Sequence, residues 1–207
     1  LNMNLILATH NRGKVIEFKR IFEGIFDNFY SVLDLGIQLE PEENGSSFSD
    51  NSKIKLDYYS NELEKINTEY KQKSYIIAED SGIEIDALDG APGIKSARFG
   101  GPELKLNSKG RNDLVLSKLM GVDPKKRSAR FVCNLRILNI ENNISREFIG
   151  KCEGVILEEP SGLNGFGYDP IFKPLGYNTS MANLPHNKKD EISHRGIACS
   201  KLKEGMF

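Results

Sequence analysis

Ala129-Arg130-Phe131-Val132-Cys133-Asn134-Leu135-Arg136-Ile137 sets an apolar residue at every second position, from Ala129 through Phe131, Cys133 and Leu135 to Ile137. A period of two belongs to an extended chain with one face turned to a core, so this stretch is read as a long strand. Upstream of it, Asp113 to Met120 reads as a helix, and Gly121 is suited to end it in the left-handed region. Downstream, Glu147 to Leu157 reads as a second strand. After Pro160, the run Ser161-Gly162-Leu163-Asn164-Gly165-Phe166-Gly167-Tyr168 is too rich in glycine for regular structure and is read as a loop. A final helix is expected to start near Ser193.

The N-terminal half alternates the two kinds of element. Asn4 to Thr9 is a short apolar strand, followed by polar His10-Asn11-Arg12-Gly13-Lys14 and then by Val15, Phe18, Phe22 and Ile25 at helical steps. A second helix is expected from Ser49 or Asp50, with Ile54, Tyr58 and Leu63 toward the core. Tyr75 to Ala78 reads as a buried strand that Glu79-Asp80-Ser81-Gly82 breaks before Ile83, Ile85 and Ala87 alternate again. Asn61 to Lys73 reads as a solvated helix end and loop. Interspersed strands and helices with long alternating strands in the second half predict a mixed α/β protein around a central, partly antiparallel sheet. No internal repeat is evident, and 207 residues suit a single domain or two closely packed lobes.

Composition narrows the function classes. Twenty-eight basic residues against 29 acidic ones give a net charge of -1, which argues against broad binding to nucleic acid. Hydrophobic residues make up 39% and charged residues 28%, so neither disorder nor a membrane protein is expected. The longest apolar runs fall short of the ~20 residues that span a bilayer, and cytosolic residence is the expectation. Met3 reads as a natural start preceded by Leu1 and Asn2. Cys133, Cys152 and Cys199 are odd in number and widely spaced, which fits ordinary buried thiols better than a disulfide framework or zinc knuckles.

Four segments could carry chemistry. Thr9 to Lys14 lies where a strand hands over to a helix, so free amides and a cation can face a phosphate. It lacks the first glycine and the hydroxyl of a Walker A loop, since Val15 follows Lys14, and it reads equally as a capped helix with Lys14 in solvent. Glu79-Asp80-Ser81-Gly82, with Glu42-Glu43 after Pro41, offers carboxylates for Mg²⁺ or for a general base; the alternative is a turn in which Asp80 and Ser81 satisfy nearby amides. Gly165-Phe166-Gly167-Tyr168-Asp169-Pro170 brings ring faces and close backbone together, as a nucleobase needs, or is simply a tight turn into an Ile171-Phe172 strand. Lys188-Lys189 and Ser193-His194-Arg195-Gly196 gather cations for a polyphosphate or lie on the surface. His10, His186 and His194 show no metal-ligand spacing, so zinc catalysis is not expected.

These segments, in this order, resemble the inosine/xanthosine triphosphate pyrophosphatase family, often called Ham1-like. The resemblance runs through LILATHNRGKVIEF (residues 5–18), FSDNSKIK (48–55), AEDSGIEIDALDGAPGIKSARFGG (78–101), GFGYDPIF (165–172) and SHRGIA (193–198). It implies Mg²⁺-dependent hydrolysis of non-standard purine nucleoside triphosphates (ITP, dITP, XTP) to the monophosphate and pyrophosphate. It also implies an elongated two-lobed α/β fold with a cleft between the lobes, and a homodimer.

Position by position, the resemblance gives the triphosphate loop as Thr9, His10, Asn11, Arg12, Gly13 and Lys14, with Lys55 also on phosphate. Asp80 is implied as proton acceptor and metal ligand, Glu42 as the second metal carboxylate and Ser81 as a substrate contact. Phe166, Gly167, Tyr168 and Asp169 correspond to the base loop, and Lys189, His194 and Arg195 to further contacts. Two departures stand out: Phe48-Ser49-Asp50-Asn51-Ser52 replaces the family's Phe-x-Glu-Asn-Ala, and Glu79 stands where many members have Asp. Three rival readings remain at this point: a pyrophosphatase for modified pyrimidine nucleotides, a nucleotide-binding module without catalysis, and a nucleic-acid-binding protein, to which the near-neutral charge and the absence of tryptophan give little support.

Overall fold

The computed structural model of the protein describes residues 3–66 and 73–206. The first strand, β1 (Asn4–Leu7), runs into helix α1 (Arg12–Ile21), and β2 (Asn28–Ser31) returns beside it. Helix α2 (Phe48–Lys65) precedes the long strand β3 (Ser74–Ile85). Helix α3 (Ser108–Lys118), strands β4 (Ser128–Asn139), β5 (Ile144–Ile156) and β6 (Phe172–Pro174), and helices α4 (His186–Ile192) and α5 (His194–Met206) complete the order. One six-stranded sheet has the order β2-β1-β3-β4-β5-β6. β1 is parallel to both β2 and β3, with Ile6 opposite Tyr30 and Ile76, while β5 and β6 are antiparallel. The sheet is therefore mixed, as the interspersed pattern predicts.

The strongest alternation is where expected: β4 contains the whole quoted stretch, and β5 contains most of Glu147–Leu157. Helix α3 begins earlier than expected because the Asn107 side chain accepts the Gly110 N–H and caps it. Gly121, at φ +77°, follows its end as the left-handed terminator. Helix α2 is capped by Ser47, two or three residues before the expected caps. Ser47 Oγ accepts the Asp50 N–H at 3.0 Å, and Asp50 Oδ2 accepts from Ser46 N at 3.1 Å. Asp50 thus closes a capping arrangement at the start of α2, which accounts for a short carboxylate there. Helix α4 was not foreseen, and residues 67–72 of the expected loop lie outside the described residues.

One expectation is overturned. β3 is a single strand of 12 residues that passes through Glu79, Asp80, Ser81 and Gly82 without a break. Acidic residues inside a strand look like a turn because a buried charge needs a partner; here the partners come from distant segments, as described below. The chain divides into two compact units, the first comprising Leu1–Asp80, Asn134–Ile149 and Ala198–Phe207 and the second Ser81–Cys133 and Gly150–Ile197.

The first unit packs Ile6, Ala8, Val32, Leu56, Tyr59, Ile76 and Ala78 into one core. Beside them Phe22 meets Phe26 edge to face, and Phe26 meets Tyr75. A polar network holds the start of α2: Ser49 Oγ donates to Glu147 Oε1 at 2.6 Å, Ser52 Oγ to Asn134 Oδ1 at 2.6 Å, and Arg136 Nη2 reaches Glu147 Oε1 at 3.1 Å. The Ser52 hydroxyl, which departs from the family motif, is used in it. The second unit buries Ile83, Ile85, Val115, Leu119, Phe131, Ile156, Tyr168, Ile171 and Phe172 together. Within it the buried Arg127 donates to the carbonyls of Leu119 at 2.7 Å and Leu157 at 2.9 Å, which pins the end of α3 to the chain after β5. No described helix is long and apolar enough to cross a membrane.

Candidate active site

In the first unit the turn after β1 delivers Asn11 as the N-cap of α1, with its Oδ1 accepting the Lys14 N–H at 3.2 Å. The Asn11 N–H in turn donates to Thr9 Oγ1 at 3.1 Å. These two side chains therefore shape the turn at the positive end of α1, where an N-terminal helix dipole and free amides favour an anion. His10 serves another purpose: its Nε2–H donates to the Ile37 carbonyl at 3.1 Å, and Nδ1 lies 3.5 Å from Glu40 Oε1. It tethers the segment that leads to the acidic pair. Arg12 is exposed and Gly13 half-buried at the helix start.

A cluster of lysines and carboxylates forms against this turn. Lys14 Nζ lies 2.7 Å from Glu79 Oε1, and the Glu79 side chain is 1% exposed. Lys55 Nζ lies 3.1 Å from Asp80 Oδ1 and 3.0 Å from Glu43 Oε1. Of the acidic pair after Pro41 it is Glu43 that enters the cluster, whereas Glu42 is exposed. Two neighbouring acids in an irregular segment carry no period that says which one turns inward.

Asn51, absent from the expected site, donates through Nδ2 to Asp80 Oδ2 at 3.1 Å. The signal for it was present: Asn51 precedes Lys55 by one helical turn, so the two share a face of α2.

The electrostatics follow from the count of charges. Two ammonium groups (Lys14, Lys55) face three carboxylates (Glu43, Glu79, Asp80). Burial raises the Asp80 carboxyl above its ordinary value, opposed by Lys55 and Lys14 and reinforced by Glu43. Burial works against the charge on Lys55, but Asp80, Glu43 and Glu79 outweigh it and its value is raised. Several buried or half-buried carboxylates brought this close to one another form a setting that takes up a cation or a proton.

In the second unit the glycine-rich run is a loop closed on itself. Asp169 Oδ2 accepts the Phe166 N–H at 2.8 Å and the Lys189 Nζ at 2.6 Å. Gly165, at φ +76°, leaves no room for a side chain, since a Cβ there would lie 2.1 Å from Asp169 Oδ2. Gly167 is also left-handed at φ +64°. The Lys189 ammonium sits 4.9 Å from the centre of the Phe166 ring, and the Arg195 guanidinium 5.7 Å. Arg195 Nη2 also donates to Ser81 Oγ at 3.2 Å.

Two of the expected base contacts are held by core contacts. Tyr168 is 4% exposed, packed in the core of this unit, and its hydroxyl donates to the Ser96 carbonyl at 2.7 Å. Burial pushes its phenol up to about 12. Its ring is thus committed, and Phe166, half-buried, is the aromatic of the loop that retains exposed surface. His194 is 6% exposed and stacks on Phe131 with centroids 4.7 Å apart and planes at 11°. A core stack of this kind orients the ring rather than presenting it to solvent.

Comparison with known proteins agrees with this composition. The Ham1 family profile matches residues 5–205. The dITP/XTP pyrophosphatase of Bacillus licheniformis is 42% identical over 203 residues, covering 96% of this chain and 95% of its own. That of Listeria monocytogenes is 38% identical over 202 residues, covering 98% and 94%. Among solved structures, a HAM1 protein from Coxiella burnetii aligns with a TM-score of 0.80 at 32% identity, covering 99% of this chain and 98% of that one. The Ham1 protein of Staphylococcus aureus aligns at 0.79, also at 32% identity, over 98% and 97%. With a family profile spanning nearly its full length and relatives of this identity and coverage, the chain belongs to the Ham1 family.

Proposed function

We propose that the chain is a nucleoside triphosphate pyrophosphatase that hydrolyses non-standard purine nucleotides, dITP and XTP foremost, to the monophosphate and pyrophosphate. The observation that carries this reading is the cluster of Lys14, Lys55, Glu43, Glu79 and Asp80 at the start of α1, in a chain 42% identical to a dITP/XTP pyrophosphatase. The polyphosphate is assigned to this cluster and the base to the Phe166 loop.

Mg²⁺ fits the donor set. Among the described residues no group of three or more His, Cys, Asp and Glu side chains could enclose a metal ion by itself. Mg²⁺ is commonly held by one or two carboxylates together with substrate phosphates and water, and Asp80 with Glu43 supplies such a pair. Three carboxylates gathered at one place suit a divalent cation. When bound, the ion would neutralise phosphate oxygens and stabilise the pyrophosphate leaving group. A triphosphate brings about four negative charges, so Lys14, Lys55 and the N–H groups of α1 would share it.

Asp80 is the proton acceptor in this reading. Burial holds its carboxyl above the ordinary value, which makes it a stronger base than a solvated aspartate, while Lys55 opposes the shift and favours the ionised form. It takes a proton from the water that attacks the α-phosphorus. The base stacks on Phe166, a contact of about 1–3 kcal/mol. Lys189, held to Asp169, is assigned as a donor to the 6-oxo oxygen, a contact that the 6-amino group of adenine cannot accept. The protein is further proposed to act as a homodimer in the cytoplasm.

Incubation with ITP, dITP, XTP, GTP and ATP in the presence of Mg²⁺, with monophosphate and pyrophosphate separated from orthophosphate, tests the reading. Monophosphate and pyrophosphate from ITP, dITP and XTP, with ATP spared, is the expected result. Orthophosphate and a diphosphate, or no product from any of the five, overturns it.

A further inference from the structure

The carboxylate of Asp80 is held on both oxygens, and one of the two holders has no role in the reading so far. Asn51 is 0% exposed and sits on the first turn of α2. Its Nδ2 donates to Asp80 Oδ2 at 3.1 Å, and its Oδ1 accepts the Gly45 N–H at 2.9 Å. A backbone N–H only donates, so the amide oxygen must face Gly45 and the NH₂ group must face Asp80. The amide therefore has one orientation. Lys55 takes the other carboxylate oxygen, Oδ1, at 3.1 Å. Gly45 belongs to the same device: a Cβ there would lie 2.6 Å from Asn51 Oδ1. It follows Glu43 by two residues, and Glu43 reaches the same Lys55 at 3.0 Å.

We infer that Asn51 is a positioning residue for the hydrolysis, whose amide fixes the plane of the Asp80 carboxylate and ties it to the turn that carries Glu43. The inference rests on the reading of Asp80 as proton acceptor. An aspartate carboxyl rotates broadly about its last torsion, and only some orientations aim a lone pair at a given water. Donors on both oxygens remove that freedom before substrate arrives, which is the preorganisation that lowers a barrier without tightening ground-state binding. Because Asn51 has no exposed surface, its effect passes through Asp80 and falls on kcat.

The test uses Asn51→Asp, which keeps an acceptor for the Gly45 N–H and deletes the donor to Asp80. With dITP at saturating Mg²⁺, kcat is expected to fall by about tenfold or more while KM stays within about threefold, as for an interaction that matters in the transition state. Circular dichroism and the melting temperature establish that the variant is folded. Gly45→Ala attacks the same contact from the other side, in a turn outside the helices and the sheet, and the same pattern is expected. It decides alone if Asn51→Asp does not fold. A kcat loss smaller than tenfold in the deciding variant, or a loss confined to KM, overturns the inference. Asp80→Asn is measured alongside: if it retains near-native turnover, the reading of Asp80 itself fails and the inference with it. If it is inactive while Asn51→Asp keeps its kcat, the positioning role alone is lost.

Discussion

The lysine-carboxylate cluster of the first unit and the Lys189–Asp169 pair of the second are built from the same side chains in opposite ways. The pair is balanced: one ammonium at 2.6 Å from one carboxylate, both about 3–5% exposed, with the Phe166 N–H on the same oxygen. The cluster is larger, with two ammonium groups among three carboxylates, and Asp80 in it is raised by its burial. A buried ion pair with its hydrogen bonds met is a rigid part of a scaffold. A buried group of several like charges close together is held in place by the surrounding fold and relieved by what binds to it. The first arrangement suits the recognition of a neutral base, the second the handling of phosphate and metal.

The largest contrast is expected from removing one charge at each place. Asp80→Asn should lower kcat by about 10³-fold or more, since the proton acceptor is gone. Its melting temperature should be no lower than that of the native protein. The sign follows from the raised carboxyl of Asp80: protonation is favoured in the folded state, so the associated stability is present at acid pH and lost as pH rises through the folded value. At neutral pH the charge on Asp80 is a burden that Asn does not carry. A clear drop in melting temperature with the fold otherwise intact would show that Lys55 needs Asp80 more than Glu43 can replace it.

Asp169→Asn should do the reverse to stability. It leaves the Lys189 ammonium, 3% exposed, without its carboxylate, and a broken buried pair costs about 3 kcal/mol or more. Urea unfolding monitored by circular dichroism reads this directly. Equal stability of the two Asn variants would mean that the two places do not differ in how their charges are met.

The sequence carried the regular parts of the molecule because period is a local property. The two-residue alternation of residues 129–137 is β4, and the apolar steps after Lys14 fall in α1 and the turns beyond it. It misread β3 at Glu79–Gly82 for the reason that makes the site work: the compensating Lys14, Lys55 and Asn51 come from elements far away in the chain, and no local pattern announces them. The site was legible as a set of residues and less so as a set of roles. Lys14, Lys55 and Asp80 meet, and Glu43 of the acidic pair joins them. An aromatic in a glycine-rich loop gives no sign whether its ring faces ligand or core; Phe166 retains exposed surface and Tyr168 faces the core.

That last assignment predicts a smaller effect. Tyr168→Phe keeps the ring in the core and removes the hydroxyl that donates to the Ser96 carbonyl at 2.7 Å. The cost is about 1 kcal/mol, the usual loss for one buried hydrogen bond, seen as a lower denaturation midpoint. KM for dITP should stay within about twofold. A rise in KM with stability unchanged would return Tyr168 to the base contacts and leave the loop with two ring faces for substrate.

The smallest effect concerns the network that holds the start of α2. Hydrogen bonds from Ser49 and Asn134, with the charge of Arg136, keep the Glu147 carboxyl below its ordinary value. A lowered carboxyl contributes stability that is present above its unfolded value and lost as pH falls through the folded one. Its side chain is 34% exposed, so water screens the charge and the contribution is a few tenths of a kcal/mol. Glu147→Gln should therefore lower the melting temperature slightly at pH 7, and the difference from the native protein should vanish toward about pH 3, where the native carboxylate is protonated as well. A difference that instead persists unchanged into acid would trace it to the shape of the amide and not to charge, and would leave Arg136 without an electrostatic part in fixing the helix that carries Asn51 and Lys55.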